Sequence, residues 1–246
     1  MSDKCQLFND DCFNILPTIK DSSVDFICTD PPYNTINAKW EEKIDFDKLF
    51  KEYWRVLKSN GCICMFSQNP LASKIIVSQG KNFRYEWVWE KNIATGFLNS
   101  KKMPMRAHEL ILVFYRSLPT YNGVRLESQK KGVIKERRRV ARHSNQVYDY
   151  HSTETTYKAS PDGSRVPRDV IYFNKVRTAH PTSKPVDLLK YLIQQYTNEE
   201  ELVLDSFAGG GGIVQACLET NRRFIGIEKD EGYFKLCKEK EQEFLL

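Results

Sequence analysis

The sequence predicts an α/β fold, and three observations predict it. Short apolar runs such as Val24-Asp25-Phe26-Ile27-Cys28-Thr29 have the composition of strands buried on both faces. Segments of helical period lie between such runs, Asp45 to Lys58 foremost. Towards the end of the chain a strand, a glycine-rich turn, a helix and a second strand closed by an acid follow one another, from Leu202 to Glu228, the order of a nucleoside-binding unit. At 246 residues, with 41% hydrophobic and 28% charged, the chain has the length and composition of one large globular domain, or one domain carrying an insertion.

Taken in order, Cys5 to Phe8 is a first short strand, and Asp11 after it is either a helix N-cap or a ligand at the strand end. The strand 24–29 runs into Asp30-Pro31-Pro32-Tyr33, where two prolines end regular pairing. Residues 34–44 read as loop. From Asp45 to Lys58, Phe46, Leu49, Phe50, Tyr53, Trp54 and Leu57 fall at helical spacing and belong to a core; Asn60-Gly61 stops the helix. Cys62 to Phe66 is a buried strand, and Pro70 opens a helix to Gln79 with Gly80 behind it. Phe83 to Trp89 alternates as a strand does, Leu110 to Tyr115 is another strand, and 92–106 between them is a polar loop over the site. After residue 176 the pattern resumes. Pro185 suits a first helical turn, and Val186, Leu189, Leu192, Ile193 and Tyr196 line one face. Leu202 to Leu204 and Arg223 to Ile227 are strands, with a helix from Val214 to Glu219 between them and a charged helix from about Asp230.

Residues 116–176 hold no sustained period and are too long for an ordinary connection. Lys130, Lys131, Lys135, Arg137, Arg138, Arg139 and Arg142 crowd there, with Tyr121, Tyr148, Tyr150 and Tyr157 interspersed. Residues 97–177 carry 17 Lys and Arg against 7 Asp and Glu, while the rest carries 20 against 25. A neutral-to-acidic body with one strongly basic segment predicts a polyanion gripped by that segment. The seven cysteines are scattered and read as reduced thiols, and the four histidines do not cluster with them, so no metal site is expected. No apolar run reaches the length of a membrane span, and Met1-Ser2-Asp3-Lys4 lacks the layout of a signal peptide; a cytoplasmic protein without membrane contact is expected.

The Asp30 to Tyr33 turn presents a carboxylate, a stiffened backbone and an aromatic ring at the carboxyl end of a strand, where open α/β sheets place their chemistry. An exocyclic amine on a nucleobase is a poor nucleophile because its lone pair is delocalised into the ring. Acceptors that hold the amine hydrogens can localise and aim that lone pair. Asp30 and the Pro31 carbonyl can supply two, and Tyr33 can stack on the base, the other reading being an ordinary proline-rich turn with a helix-capping Asp. In the C-terminal unit glycines allow close approach of a ligand, and Glu228, 17 residues after Gly211, takes ribose hydroxyls. No Lys-Ser/Thr follows the glycines and the G-x-G-x-x-G spacing is absent, so an adenosyl ligand with little or no phosphate fits better than a nucleotide.

Asp30-Pro31-Pro32-Tyr33 early in the chain, with Asp205-Ser206-Phe207-Ala208-Gly209-Gly210-Gly211 late in it, resembles the S-adenosylmethionine-dependent amino-methyltransferases of DNA. Catalytic motif first, variable region second and cofactor motif last is the order of their β group. His180-Pro181-Thr182-Ser183-Lys184-Pro185 is similar to the family's segment before the glycine loop, and Asp11-Cys12 sits where the family has another cofactor-contacting turn. The sequence departs from the family at Ser206, where Pro is usual, and at Gly212, where Thr is common.

The resemblance implies a Rossmann-like methyltransferase fold: a mostly parallel seven-stranded sheet with helices on both faces and a circularly rearranged motif order. Residues 1–115 would be its catalytic part, 116–176 a target-recognition insertion and 177–246 its cofactor-binding part. It implies methyl transfer from S-adenosylmethionine to an adenine N6 flipped out of double-stranded DNA, Asp rather than Ser at position 30 favouring adenine over the N4 of cytosine. Asp30, Pro31, Pro32 and Tyr33 would be catalytic. Glu228 would hold the ribose, and Asp11, Cys12, Asp30, Ser183, Lys184, Asp205, Phe207, Ala208, Gly209 and Gly211 would frame the rest of the cofactor, Lys184 near its methionine carboxylate. The cluster from Lys130 to Arg142 would contact phosphates. Many relatives dimerise, so a homodimer is open. The alternatives are N4-cytosine transfer and a methyltransferase-like module that binds DNA without turnover.

Overall fold

The computed structural model describes residues 4–33, 44–126, 164, 166–175 and 183–245. Residues 1–122 and 168–246 form one compact unit and 123–167 a second, of which only 123–126, 164 and 166–167 are described. The predicted phosphate-contacting residues Lys130, Lys131, Lys135, Arg137, Arg138, Arg139 and Arg142 lie outside the described residues, as do His180, Pro181 and Thr182.

The first unit is built on an eight-stranded sheet. Its strands are β1 (Cys5–Phe8), β2 (Val24–Thr29), β3 (Leu57–Ser67), β4 (Phe83–Thr95), β5 (Arg106–Phe114), β6 (Val170–Phe173), β7 (Leu202–Asp205) and β8 (Arg223–Ile227). They lie in the order β1-β8-β7-β2-β3-β5-β4-β6. Pairing is parallel except at β5, which runs antiparallel to both β3 and β4. The expected count of seven is therefore corrected to eight. The added strand is β6, a four-residue β-branched and aromatic run that pairs parallel with the outer side of β4. It falls inside 116–176, where it is too short to set up a period.

Helices cover both faces. On one face α1 (Cys12–Ile15), α2 (Phe46–Val56) and α3 (Leu71–Gln79) pack on the sheet, with Leu49, Phe50, Tyr53 and Val56 of α2 meeting Ile27, Ile63 and Met65. Asp45 caps α2 by accepting from the Lys48 amide at 3.0 Å. On the other face lie α4 (Val186–Tyr196), α5 (Gly212–Glu219) and α6 (Glu231–Leu245), and Tyr196 stacks on Phe26 at 5.4 Å between ring centres. All six residues of β2 are buried, as a strand covered on both faces requires. Each large apolar side chain so enclosed contributes about 1.5–3 kcal/mol.

Several boundaries differ from expectation. Helix α2 ends at Val56, and Leu57 already begins β3. Gly61 is thus not a helix stop but a strand residue beside a register shift in the β2/β3 pairing; a Cβ there would lie 2.9 Å from the Asp25 carbonyl oxygen. Strands β4 and β5 also run further than predicted, so the connection between them shrinks from 92–106 to 96–105. Their polar outer ends hide the strand signal.

Candidate active site

Strands β2 and β7 are parallel neighbours, with Ile27 opposite Leu204, and the catalytic and glycine motifs leave their carboxyl ends side by side. The Thr29 hydroxyl donates to Asp205 Oδ1 at 2.9 Å and ties the two strand ends together. Above them opens a cleft of about 680 Å³, within the usual range for small-ligand sites. Asp30, Pro31, Pro32 and Tyr33 line it, as do Asp11, Cys12, Ser183, Lys184, Asp205, Phe207, Ala208, Gly209 and Glu228. Gly211 does not; Gly210 and Gly212 do. Gly211 stands at the N-terminus of α5 with φ +78°, and a Cβ on it would lie 3.0 Å from Cys237 Cα. Its lack of a side chain serves the packing of the loop on α6.

On the glycine side, Glu228 accepts from the Gly209 amide at 2.7 Å and from the Asp230 amide at 2.8 Å. The carboxylate therefore both shapes the turn and faces the cleft, and burial pushes its pKa up. Asp205 is buried and accepts from the Phe207 amide at 2.9 Å. Burial raises its pKa to about 7; its hydrogen bonds to Phe207 and Thr29 oppose the rise, while Asp30 and Glu228 nearby add to it. Asp11 accepts from the Phe13 amide at 2.8 Å and caps α1, and its other oxygen lies 3.3 Å from Lys229. Ser206, which departs from the family pattern, shares a short hydrogen bond with the buried hydroxyl of Tyr53 on α2. That bond anchors the loop where a proline would stiffen it.

On the catalytic side, Tyr33 donates to Asp30 Oδ1 at 2.7 Å, and Lys184 donates to Asp30 Oδ2. Lys184 also lies 3.3 Å from Glu109 on β5, and Glu109 accepts from Lys91 on β4 at 3.1 Å. Burial alone would lower the Lys184 pKa, but Asp30 and Glu109 outweigh it and the net shift is upward. For Glu109 burial pushes upward and Lys184 and Lys91 prevail, so its pKa is lowered. Lys175, just past β6, shares this neighbourhood, and burial lowers its pKa. Lys184, expected near the methionine carboxylate of the cofactor, lines the cleft with its ammonium paired to Asp30. The Phe66 and Trp89 rings, edge to face at 6.5 Å, complete the apolar wall of this half.

The sequence reading missed Lys91, Glu109, Phe66, Trp89 and Tyr53 as site residues. One signal was available: Glu109 precedes the apolar run Leu110 to Phe114, and an acid in an otherwise apolar strand asks for a buried partner. Among the described residues no group of His, Cys, Asp and Glu is arranged to hold a metal, and no helix is long and apolar enough to cross a membrane. All seven cysteines are free and buried.

A mostly parallel sheet, helices on both faces and a cleft above adjacent strand ends that joins a carboxylate-aromatic turn to a glycine-rich turn define a Rossmann-like transferase. The family model described as DNA methylase matches residues 24–239. The chain belongs to this family, the N6/N4 amino-methyltransferases of DNA, as its motif order implied. Type II methyltransferase M.HpaI of Haemophilus parainfluenzae is 29% identical over 245 residues, spanning 93% of this chain and 72% of the relative. DNA adenine methyltransferase YhdJ of Escherichia coli K12 is 28% identical over 252 residues, spanning 94% of this chain and 80% of the relative. In fold, the chain resembles the M1.HpyAVI-SAM complex, with TM-score 0.64 and 23% identity over 96% of this chain and 99% of that one. It also resembles the cytosine-N4-specific PvuII DNA methyltransferase, with TM-score 0.69 and 12% identity over 98% of this chain and 90% of that one.

Proposed function

We propose that this chain methylates N6 of an adenine at a specific site in duplex DNA and takes the methyl group from S-adenosylmethionine. The observation that carries the reading is the Asp30 carboxylate, held by Tyr33 and Lys184 at the mouth of β2 beside the Pro31 carbonyl. Asp30 and the Pro31 carbonyl are the two oxygen acceptors that an aromatic amine needs, and Phe66 and Trp89 line the same cleft.

The glycine side fits the cofactor. Asp11, Asp205 and Glu228 line one wall of the cleft, and both Asp205 and Glu228 have raised pKa values. A cationic sulfonium and ammonium relieve that accumulation of buried acids, Glu228 takes the ribose, and the bare backbone from Gly209 to Gly212 admits close approach. S-adenosylmethionine, when bound, supplies an electrophilic methyl group.

The chain's own residues supply the rest. A base must leave the stack to reach the cleft. There Asp30 and the Pro31 carbonyl accept the amine hydrogens, and Tyr33, Phe66 and Trp89 provide faces for the ring. The Tyr33 hydroxyl is kept protonated, its pKa pushed up by burial and by the Asp30 charge, so it goes on donating to Asp30 and holds it in place. The work is positioning and electrostatics.

Adenine is preferred over cytosine because Asp opens the catalytic motif and because YhdJ, similar along 94% of the chain, is named an adenine methyltransferase. The likeness to the PvuII enzyme is one of fold. The test is transfer of labelled methyl to duplex DNA followed by digestion to nucleosides. Label in N6-methyl-2′-deoxyadenosine supports the reading, and label in N4-methyl-2′-deoxycytidine overturns the base assignment.

A further inference from the structure

The connection between β4 and β5 carries an exposed apolar tip that the proposed chemistry does not use. Phe97 and Leu98 are 74% and 97% exposed, and Ile93, Met103 and Met105 are exposed around them. Such a cluster on a surface marks an interaction site. The tip is not a loose end. Gly96, at φ +94°, turns the chain, and the Asn99 and Ser100 amides donate to the Gly96 and Phe97 carbonyls at 2.9 and 3.0 Å. The Lys102 and Met103 amides donate to the Asn99 carbonyl at 2.8 and 3.0 Å. Phe97 and Leu98 are thus presented outward from a hydrogen-bonded turn.

Two observations say what the tip meets. Residues 91–108 contain no Asp or Glu, while Lys101, Lys102 and Arg106 are all exposed. A rim of one sign of charge suits a polyanion. The base of the tip also borders the catalytic cleft, because Thr95, Gly96 and Arg106 line it with Asp30 and Tyr33. The partner entering that cleft is DNA if the function proposed above holds, and this inference rests on that reading. A base drawn out of a duplex leaves a gap with apolar floor and ceiling between two charged backbones. An apolar wedge flanked by cations fits such a gap, and side chains of this kind are inserted between base steps by proteins that distort DNA.

We propose that Phe97 and Leu98 enter the duplex at the target site and fill the space the extruded adenine leaves, with Lys101 and Lys102 on the neighbouring phosphates. The wedge acts on extrusion and leaves methyl transfer itself alone. Its removal is therefore costly only where the base is paired and stacked, and a substrate whose base is already loose does not need it.

The test is the double variant Phe97→Ala with Leu98→Ala, assayed on duplexes carrying a motif that the wild-type enzyme methylates. One duplex pairs the target adenine with thymine, and the other places an abasic site opposite it. Both substitutions are at exposed positions, so melting temperature and S-adenosylhomocysteine binding should match wild type. The expected result is at least about a tenfold slower methylation of the paired duplex, with the abasic duplex methylated at close to the wild-type rate. Fluorescence of 2-aminopurine at the target position should rise on wild-type binding and fail to rise with the variant. Unchanged methylation of the paired duplex overturns the proposal, and so does an equal loss on both duplexes. A change in oligomeric state with unchanged methylation assigns the tip to contact between copies and also overturns it. A wild-type protein that methylates no DNA refutes the function on which the inference stands, which is a different failure.

Discussion

Lys184 and Asp30, 154 residues apart in sequence, form a partly buried ion pair that joins the segment leading into α4 to the Asp30–Tyr33 turn after β2. The pair is not isolated. Glu109 lies on the far side of Lys184 and is itself bound by Lys91. Two carboxylates and two ammonium groups thus alternate across four separate elements, the turn after β2, β4, β5 and the segment before α4, and Asp30 lines the cleft. A carboxylate aimed this way needs little reorganisation when charge develops on a bound amine.

Replacing Asp30 with Ala should lower methyl transfer by at least about 10²-fold, the usual cost of removing a group aimed at developing charge. Lys184 keeps Glu109, so the fold and the cofactor side should be spared. Calorimetric binding of S-adenosylhomocysteine should be close to wild type. Transfer at the wild-type rate would remove Asp30 from the chemistry.

Glu109 is read through the pH dependence of kcat. Asp30 and Glu109 hold the Lys184 pKa up against burial, while the ammonium groups of Lys91 and Lys175 and the Tyr33 ring face the same cluster. Glu109→Gln removes one of the two carboxylates, so the Lys184 pKa falls and its proton is lost at lower pH. The alkaline limb of the kcat profile should move to lower pH, and kcat at neutral pH should fall by up to about 10²-fold through misplacement of Asp30. Glu109→Asp should restore part of both. An unmoved limb with a lower melting temperature would mean that Glu109 only holds the fold together.

Asp205 titrates at about 7 in the fold because it is buried, against an ordinary 3.8 in the unfolded chain. An acid whose pKa is raised on folding stabilises the fold fully at pH values below its unfolded pKa. That contribution is lost as pH rises between the two values. Ligand-free protein should therefore lose stability from about pH 4 to pH 7 through this group, and Asp205→Asn should remove that loss. At pH 8 the variant should be more stable by about 1 kcal/mol or more, which is a rise of a few degrees in Tm for a domain of this size. Melting curves across that range check it; a variant less stable at pH 8 would contradict the assignment.

Tyr53 reaches from α2 to hold Ser206. Tyr53→Phe leaves the Ser206 hydroxyl buried without that partner, at a cost of about 1–3 kcal/mol. Denaturant unfolding should show the loss, and S-adenosylhomocysteine should bind more weakly because the loop that follows is less well fixed. Tighter or unchanged binding would separate Ser206 from the cofactor loop.

Much of this arrangement could be read in the sequence. The apolar run 24–29 and the prolines after it announce the strand end that carries Asp30, and the stripe from Phe46 to Leu57 announces α2. The glycine run between Asp205 and Glu228 announces the other half of the cleft. What stayed hidden was long-range pairing. Lys91 and Glu109 sit on neighbouring antiparallel strands; the apolar run after Glu109 hints that the acid is buried, but nothing local names Lys91 or Lys184 as its partner. Tyr53 looked like one more apolar position in a helical stripe, because a hydroxyl partner 153 residues away leaves no periodic trace. Strand β6 was missed because four residues in a polar stretch cannot establish alternation. The basic cluster from Lys130 to Arg142 lies outside the described residues, and its role as a phosphate grip remains a proposal.

The most direct test is to express the chain in a bacterial host that lacks DNA methylation, beside an Asp30→Ala control, and to sequence the host DNA with a readout that separates N6-methyladenine from N4-methylcytosine. N6-methyladenine at one short recurring motif, absent from the control, is the predicted result. Modified cytosine, or adenine modification that persists in the control, would contradict it.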